Sequence, residues 1–180
     1  STQACRDKMY IEFKIDAHGA NLPLSAPRLQ IALVDKNQFT LDTSDDPSQD
    51  FSINQTMGTW SIDFQKMLYD HGEASTDGSF RGTGSFSVGD VVSLALAQDG
   101  NDVNVWWRQN GDAYERGGDP VAGTSPTQIA RGVSVTSLWV AMRGYDSEDQ
   151  MSVNFGQQAF VRAAPTGFTG LSFDLVTEET

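Results

Sequence analysis

With Cys5 as its one cysteine, the chain has no internal disulfide, so its 180 residues must be held by packing and hydrogen bonds alone. Basic side chains are also scarce. There are 12 Lys and Arg against 24 Asp and Glu, a formal net charge of −12, and Arg6, Lys8, Arg28, Arg81, Arg108 and Arg143 are scattered rather than clustered. Nucleic acid and anionic membranes both require a positive patch that releases counterions, so neither is an expected partner. Long apolar runs are missing too. The longest, VVSLALA at 91–97, falls far short of the roughly 20 residues a spanning helix needs. The stretch STQACRDK at 1–8 lacks the apolar centre of a signal peptide, so a soluble chain without membrane insertion is expected. The last absence is helical periodicity: no long stretch keeps apolar positions at i, i+3, i+4 and i+7, and 17 glycines interrupt nearly every candidate.

What the sequence does have is a period of two. MYIEFKI (9–15) sets Met9, Ile11, Phe13 and Ile15 on one face and Tyr10, Glu12 and Lys14 on the other, and RLQIALV (28–34) repeats the pattern with Leu29, Ile31 and Leu33. Both read as half-buried strands. TWSIDF (59–64), VVSLALA, VNVWWRQ (103–109), LWVAMR (138–143) and MSVNF (151–155) follow. Turn chemistry at 98–102, QDGND, makes 91–109 an antiparallel hairpin, and Asn110-Gly111 marks a second tight turn. Many short strands separated by turns predict an all-β sandwich or barrel, one domain over 1–173, followed by an acidic tail, DLVTEET, at 174–180.

Taken in order, several segments form a recognisable series: Lys8, Tyr10, Glu12 and Ile15; Gly89 to Val92; Trp106, Trp107, Asn110 and Gly111; Asn154 to Gly156, then Phe160 and Pro165 to Phe168. The series resembles the SPRY family, with its K-x-Y-x-E-x-x-I strand, G-D-V-I start, W-F-x-x-N-G end and closing N-F-G and P-x-G-F. It covers about 6–171. It departs where the family often has glycine after the second strand, here Ile31-Ala32-Leu33, and in a long polar region at 35–58. The resemblance implies a concanavalin-like sandwich of two curved antiparallel sheets, acting as a non-catalytic binding module. PVAGTSP (120–126) and the PTGF ending look most like SPRY modules of tailed-bacteriophage structural proteins. That implies a virion or extracellular domain that recognises a protein or glycan on a host surface. A structural capsid or tail decoration, contacting other virion proteins or its own copies, is the first alternative, and a concanavalin-like lectin or glycan-active enzyme the second. In the closing corner, Val153 and Phe155 are expected to point inward and Gly156 to turn the chain. Phe160 and Phe168 are then expected to plug the open end of the core, and the Asn154 amide to satisfy a loop backbone group.

Chemistry has few footholds. The E-x-D-x-x-E string of concanavalin-like glycosidases is absent, since Glu12 is followed by Asp16 and Glu73 by Asp77. His18 and His71 sit in turn-like contexts without a G-x-S-x-G elbow. No enzyme activity and no cofactor are expected. The run DTSDDPSQD at 42–50 offers four carboxylates, but Pro47 and the missing D-x-D-x-D-G spacing favour a solvated acidic loop over a calcium site.

Strand parity places Trp107 with Val103 and Val105 in the core, and turns Trp106 and Trp139 outward. These two are either cover beneath loops or exposed platforms for stacking a sugar. The resemblance also places partner binding on the loop after the second strand, 35–49, and the loop before the closing strand, 143–149, close together at one end. Their candidate contacts are Phe39, Leu41, Asp45 and Asp46 in the first, and Arg143, Tyr145 and Asp146 in the second. Phe39 as cover and Arg143 as neutraliser of nearby acids is the competing reading.

Overall fold

The computed structural model describes residues 7–18, 29–37, 59–63, 68–70, 73–74, 86–144 and 148–170. Within them the strands are β1 Lys8–Ala17, β2 Leu29–Asp35, β3 Thr59–Asp63, β4 Leu68–Asp70, β5 Glu73–Ala74, β6 Val91–Asp99, β7 Asp102–Gln109, β8 Gln128–Ala130, β9 Leu138–Gly144 and β10 Gln150–Asn154. They form two five-stranded antiparallel sheets, ordered β10-β1-β6-β7-β8 and β5-β4-β3-β2-β9. The expected antiparallel sandwich is what the chain builds. Helix is confined, among the described residues, to two 3-10 turns, Glu115–Gly117 and Val135–Ser137.

The hairpin at 91–109 forms in the register that alternation demands. Leu94 faces Trp107 and Leu96 faces Val105 on the inner side, while Ala95 faces Trp106 and Ser93 faces Arg108 on the outer. Gly100 takes φ 59° in the two-residue turn, a position where glycine is favoured. The inner faces of both sheets supply the main core: Ile11, Phe13 and Ile15 from β1, Leu94 from β6 and Trp107 from β7 meet Ile31 and Leu33 from β2, and Trp60 and Ile62 from β3. Val153 and Phe155 pack against this core from the β10 edge, as expected.

The half-buried reading of the first two strands is corrected. Tyr10 and Glu12 on the outer face of β1 are as buried as its inner face, and so are Gln30, Ala32 and Val34 on β2. On the first sheet a strap formed by the closing residues supplies the cover. β10 runs beside β1 from Ala17 to Glu12 and stops at Asn154. The chain then crosses the outer face and returns at Thr169, whose carbonyl accepts the Tyr10 N–H at 2.8 Å, so Thr169 lies beside β1 where β10 left off.

The return explains why the alternation ends at Gly156. A Cβ on Gly156 would lie 2.8 Å from the Gly170 Cα, and its φ is 102°. Only glycines allow the two ends of the strap to pass this closely. Asn154 ties the corner: its amide donates to the carbonyls of Gln158 and Ala159, and its oxygen accepts the Gly156 N–H at 2.9 Å. Gly156→Ala should therefore cost about 2 kcal/mol in urea denaturation, while an unchanged midpoint would mean the strap ends are not in contact.

Phe160 and Phe168 do not plug the end of the inter-sheet core. They lie on the outer face of the first sheet, in a second apolar cluster with Tyr10, Ala95, Ala97, Trp106 and Tyr114. The Phe160 ring meets Tyr10 edge-on at 4.7 Å, and Phe168 meets Trp106 edge-on at 6.5 Å. Geometry forces the correction: Phe160 follows the point where the chain has already left the sheet plane. The proposed tail at 174–180 lies outside the described residues.

Candidate binding surface

A dense polar cluster lies beneath the strap. Glu12 is 3% exposed, and its carboxylate accepts the Val161 N–H at 2.7 Å, the Arg162 N–H at 2.6 Å and the Tyr10 hydroxyl at 3.3 Å. Arg108 donates to the Tyr10 hydroxyl at 2.8 Å and to the Ala163 carbonyl at 2.6 Å, with its guanidinium 4.9 Å from the centre of the Tyr114 ring. Burial pushes the Tyr10 phenol above its usual range, against the opposing hydrogen bond and charge of Arg108, and burial raises Tyr114 as well. Both therefore stay neutral. The acid and the guanidinium hold strap backbone, so this cluster acts as a clamp. Sequence reasoning missed the roles of Glu12 and Arg108. The available signal was a tyrosine and a glutamate on the supposed solvent face of β1.

The tryptophans divide sharply. Trp106 is fully buried, its indole N–H donating to the Thr124 carbonyl at 2.9 Å, so it is cover and not a stacking platform. Gly118 lets the covering segment lie close, since a Cβ there would stand 2.6 Å from the Trp106 Cδ1. Trp60 and Trp107 are equally buried, whereas Trp139 is 60% exposed. Trp139 sits on β9, the edge of the second sheet, opposite Val34 of β2. Met142, 41% exposed, lies further along the same strand.

The pairing of β2 with β9 fixes where the two expected binding loops begin, while the loops themselves lie almost wholly outside the described residues. Asp35 lies opposite Leu138 and Leu29 opposite Gly144. The chain thus leaves β2 and leaves β9 at opposite ends of the second sheet, about 20 Å apart at 3.3 Å per residue. Antiparallel pairing allows no other arrangement for two neighbouring strands. Phe39, Leu41, Asp45, Asp46, Tyr145 and Asp146 lie outside the described residues, and Arg143 is described only through its backbone pairing with Gln30. Trp139 belongs to the end where β2 finishes. There the Lys36 N–H donates to the Ser137 carbonyl, and Asp35 accepts both the backbone and side-chain N–H groups of Asn37.

The two-sheet arrangement is similar to a crystal structure of the SPRY domain of human HERC1, at 15% identity and a TM-score of 0.51, covering 85% of this chain and 77% of that one. The fold is SPRY-like. No family model matches the chain, and no curated protein matches it.

Within this SPRY-like sandwich several acidic side chains serve as architecture. Asp102 accepts the Gly132 N–H, Asp119 accepts the Val121 and Ala122 N–H groups, and Asp90 accepts the Ser87 N–H. On the β10 edge, hydrogen bonds from Lys14 and Ser152 hold the Asp16 carboxyl below its ordinary range, tying that strand to β1. Among the described residues no group of three or more His, Cys, Asp and Glu could hold a metal ion. His71 and the acidic run at 42–50 lie outside them. No described helix is long and apolar enough to cross a membrane.

Proposed function

We propose that the chain is a non-catalytic module that binds another protein, with Trp139 and the end of the sandwich around it as the contact surface. The exposure of Trp139 carries this reading, because the other three tryptophans are completely buried. A tryptophan on a strand edge brings large, rigid contact area, the property that makes it frequent at binding hot spots. The net charge of −12 favours a partner with a neutral or basic face. The segment that carries Phe39, Leu41, Asp45 and Asp46 begins at this same end. The segment that carries Tyr145 and Asp146 begins after Gly144, at the opposite end of the second sheet.

The more specific form of this reading is a virion domain that grips a protein or glycan on a host surface. It is supported by the likeness of 120–126 and the PTGF ending to tailed-phage modules. A glycan array together with a host-cell binding assay, on wild type and Trp139→Ala, tests both forms. Loss of binding at unchanged melting temperature supports the Trp139 surface, and full retention places the contact elsewhere. A stable trimer or larger assembly in size-exclusion chromatography with light scattering would favour the structural alternative. Trp139→Ala should change stability by less than about 0.5 kcal/mol and abolish the fluorescence that iodide can quench, since only this indole is open to solvent.

A further inference from the structure

The sequence contains one Asn-Gly pair, Asn110-Gly111. Asparagine before glycine is intrinsically prone to deamidation, because glycine offers no side chain to hinder its own amide nitrogen. That nitrogen attacks the asparagine Cγ, a C–N bond forms, ammonia leaves with the side-chain nitrogen, and water opens the resulting succinimide to aspartate or isoaspartate. In this fold the Asn110 side chain is held at both atoms. Its oxygen accepts the Val91 N–H at 2.8 Å, and its amide donates to Asp90 Oδ1 at 2.7 Å. The Asn110 backbone N–H donates to the Val91 carbonyl at 2.7 Å, and φ is 52°. Gly111 lies under the strap, where a Cβ would stand 3.0 Å from the Arg162 Cδ. Arg162 is itself held by its N–H bond to Glu12.

We infer that Asn110-Gly111 is a deamidation site that the strap and the Asp90 contact keep closed, so that modification records molecules in which this corner has opened. Cyclisation requires the Asn110 Cγ to swing toward the Gly111 nitrogen, which breaks both side-chain bonds. Once formed, the new carboxylate faces Asp90. It loses the donor that Asp90 Oδ1 requires and brings two negative charges to hydrogen-bonding distance, so the opened corner cannot close as before. Asp90 also accepts the Ser87 N–H at 2.8 Å and the Gln109 Nε2 at 2.6 Å, both on Oδ2. Its orientation is therefore fixed, and it cannot rotate away from the new charge.

The test is peptide mapping by mass spectrometry after incubation in mildly alkaline buffer, folded and in denaturant. Deamidation at Asn110 should run at least about tenfold slower in the folded chain, as expected for chemistry that needs local opening. Equal rates would overturn the proposal. Glu12→Gln, which loosens the strap, should accelerate the reaction in native buffer, and an unchanged rate would show that the strap does not guard the site. Asn110→Asp should lower the denaturation midpoint, and adding Asp90→Asn should restore most of the loss. In that swap the introduced amide can donate from the Oδ1 position while its oxygen accepts at the Oδ2 position. Failure of the double variant to recover would show that facing carboxylates are not the cause.

Discussion

Trp106→Ala should destabilise the chain by about 3–5 kcal/mol, the range for truncating a fully buried tryptophan. The indole fills the space between the hairpin and the segment that carries Thr124, and it is the edge-on neighbour of Phe168. Alanine leaves a cavity on the outer face of the first sheet and removes the donor to the Thr124 carbonyl. Urea denaturation reads the loss directly. Trp106→Phe separates the two causes, because it restores most of the apolar volume but not the hydrogen bond, and it should recover more than half of the stability. A loss below about 0.5 kcal/mol for alanine would mean that the indole is not covered at all.

The second large effect is expected at Glu12. Glu12→Gln should cost about 3 kcal/mol, because one of the two backbone N–H groups it accepts would face an amide donor instead of a charged oxygen. The buried carboxylate draws the Val161 and Arg162 amides to it, one on each oxygen. Hydrogen exchange localises the change: those two amides should lose protection while the hairpin amides keep theirs. Uniform loss across the sheet would instead mean that strap and sandwich open as one unit.

Much of this architecture was legible because a strand's period of two depends on near neighbours. The inner faces of β1, β2, β6 and β7 and the 98–102 turn follow from alternation and turn chemistry alone. β8 was missed because Gln128, Ile129 and Ala130 are too few to show a period, and Glu73 and Ala74 of β5 are fewer still. Tyr10 and Glu12 looked like a solvent face because their cover comes from residues about 150 positions away. Parity placed Trp106 and Trp139 identically, since both point outward. Their fates differ because 118–125 and the strap cross the first sheet at Trp106, whereas Trp139 stands on an edge strand. The expected meeting of the binding loops came from the resemblance; the strand directions set only where each loop begins, and the loops themselves lie almost wholly outside the described residues. The ends of β2 and β9 could be assigned only once their pairing was known.

The strap also sets an order of events during synthesis. Val161 and Arg162 follow Glu12 by 149 and 150 residues, and Thr169 completes the row beside β1 later still. At roughly 5–20 residues per second, β1 waits on the order of 8–30 s after translation before its outer face can be covered. Contacts of this sequence separation make closure slow, since the chain between must be gathered before they form. A nascent chain therefore presents Tyr10 and an unpaired edge of β1 to its surroundings until residue 170 has been made, and Trp106 from its own synthesis until then. Crowded ribosomes and high expression temperature should drive this protein into aggregates through that exposed face, and a chaperone that shields β1 until residue 170 has emerged should raise the soluble yield.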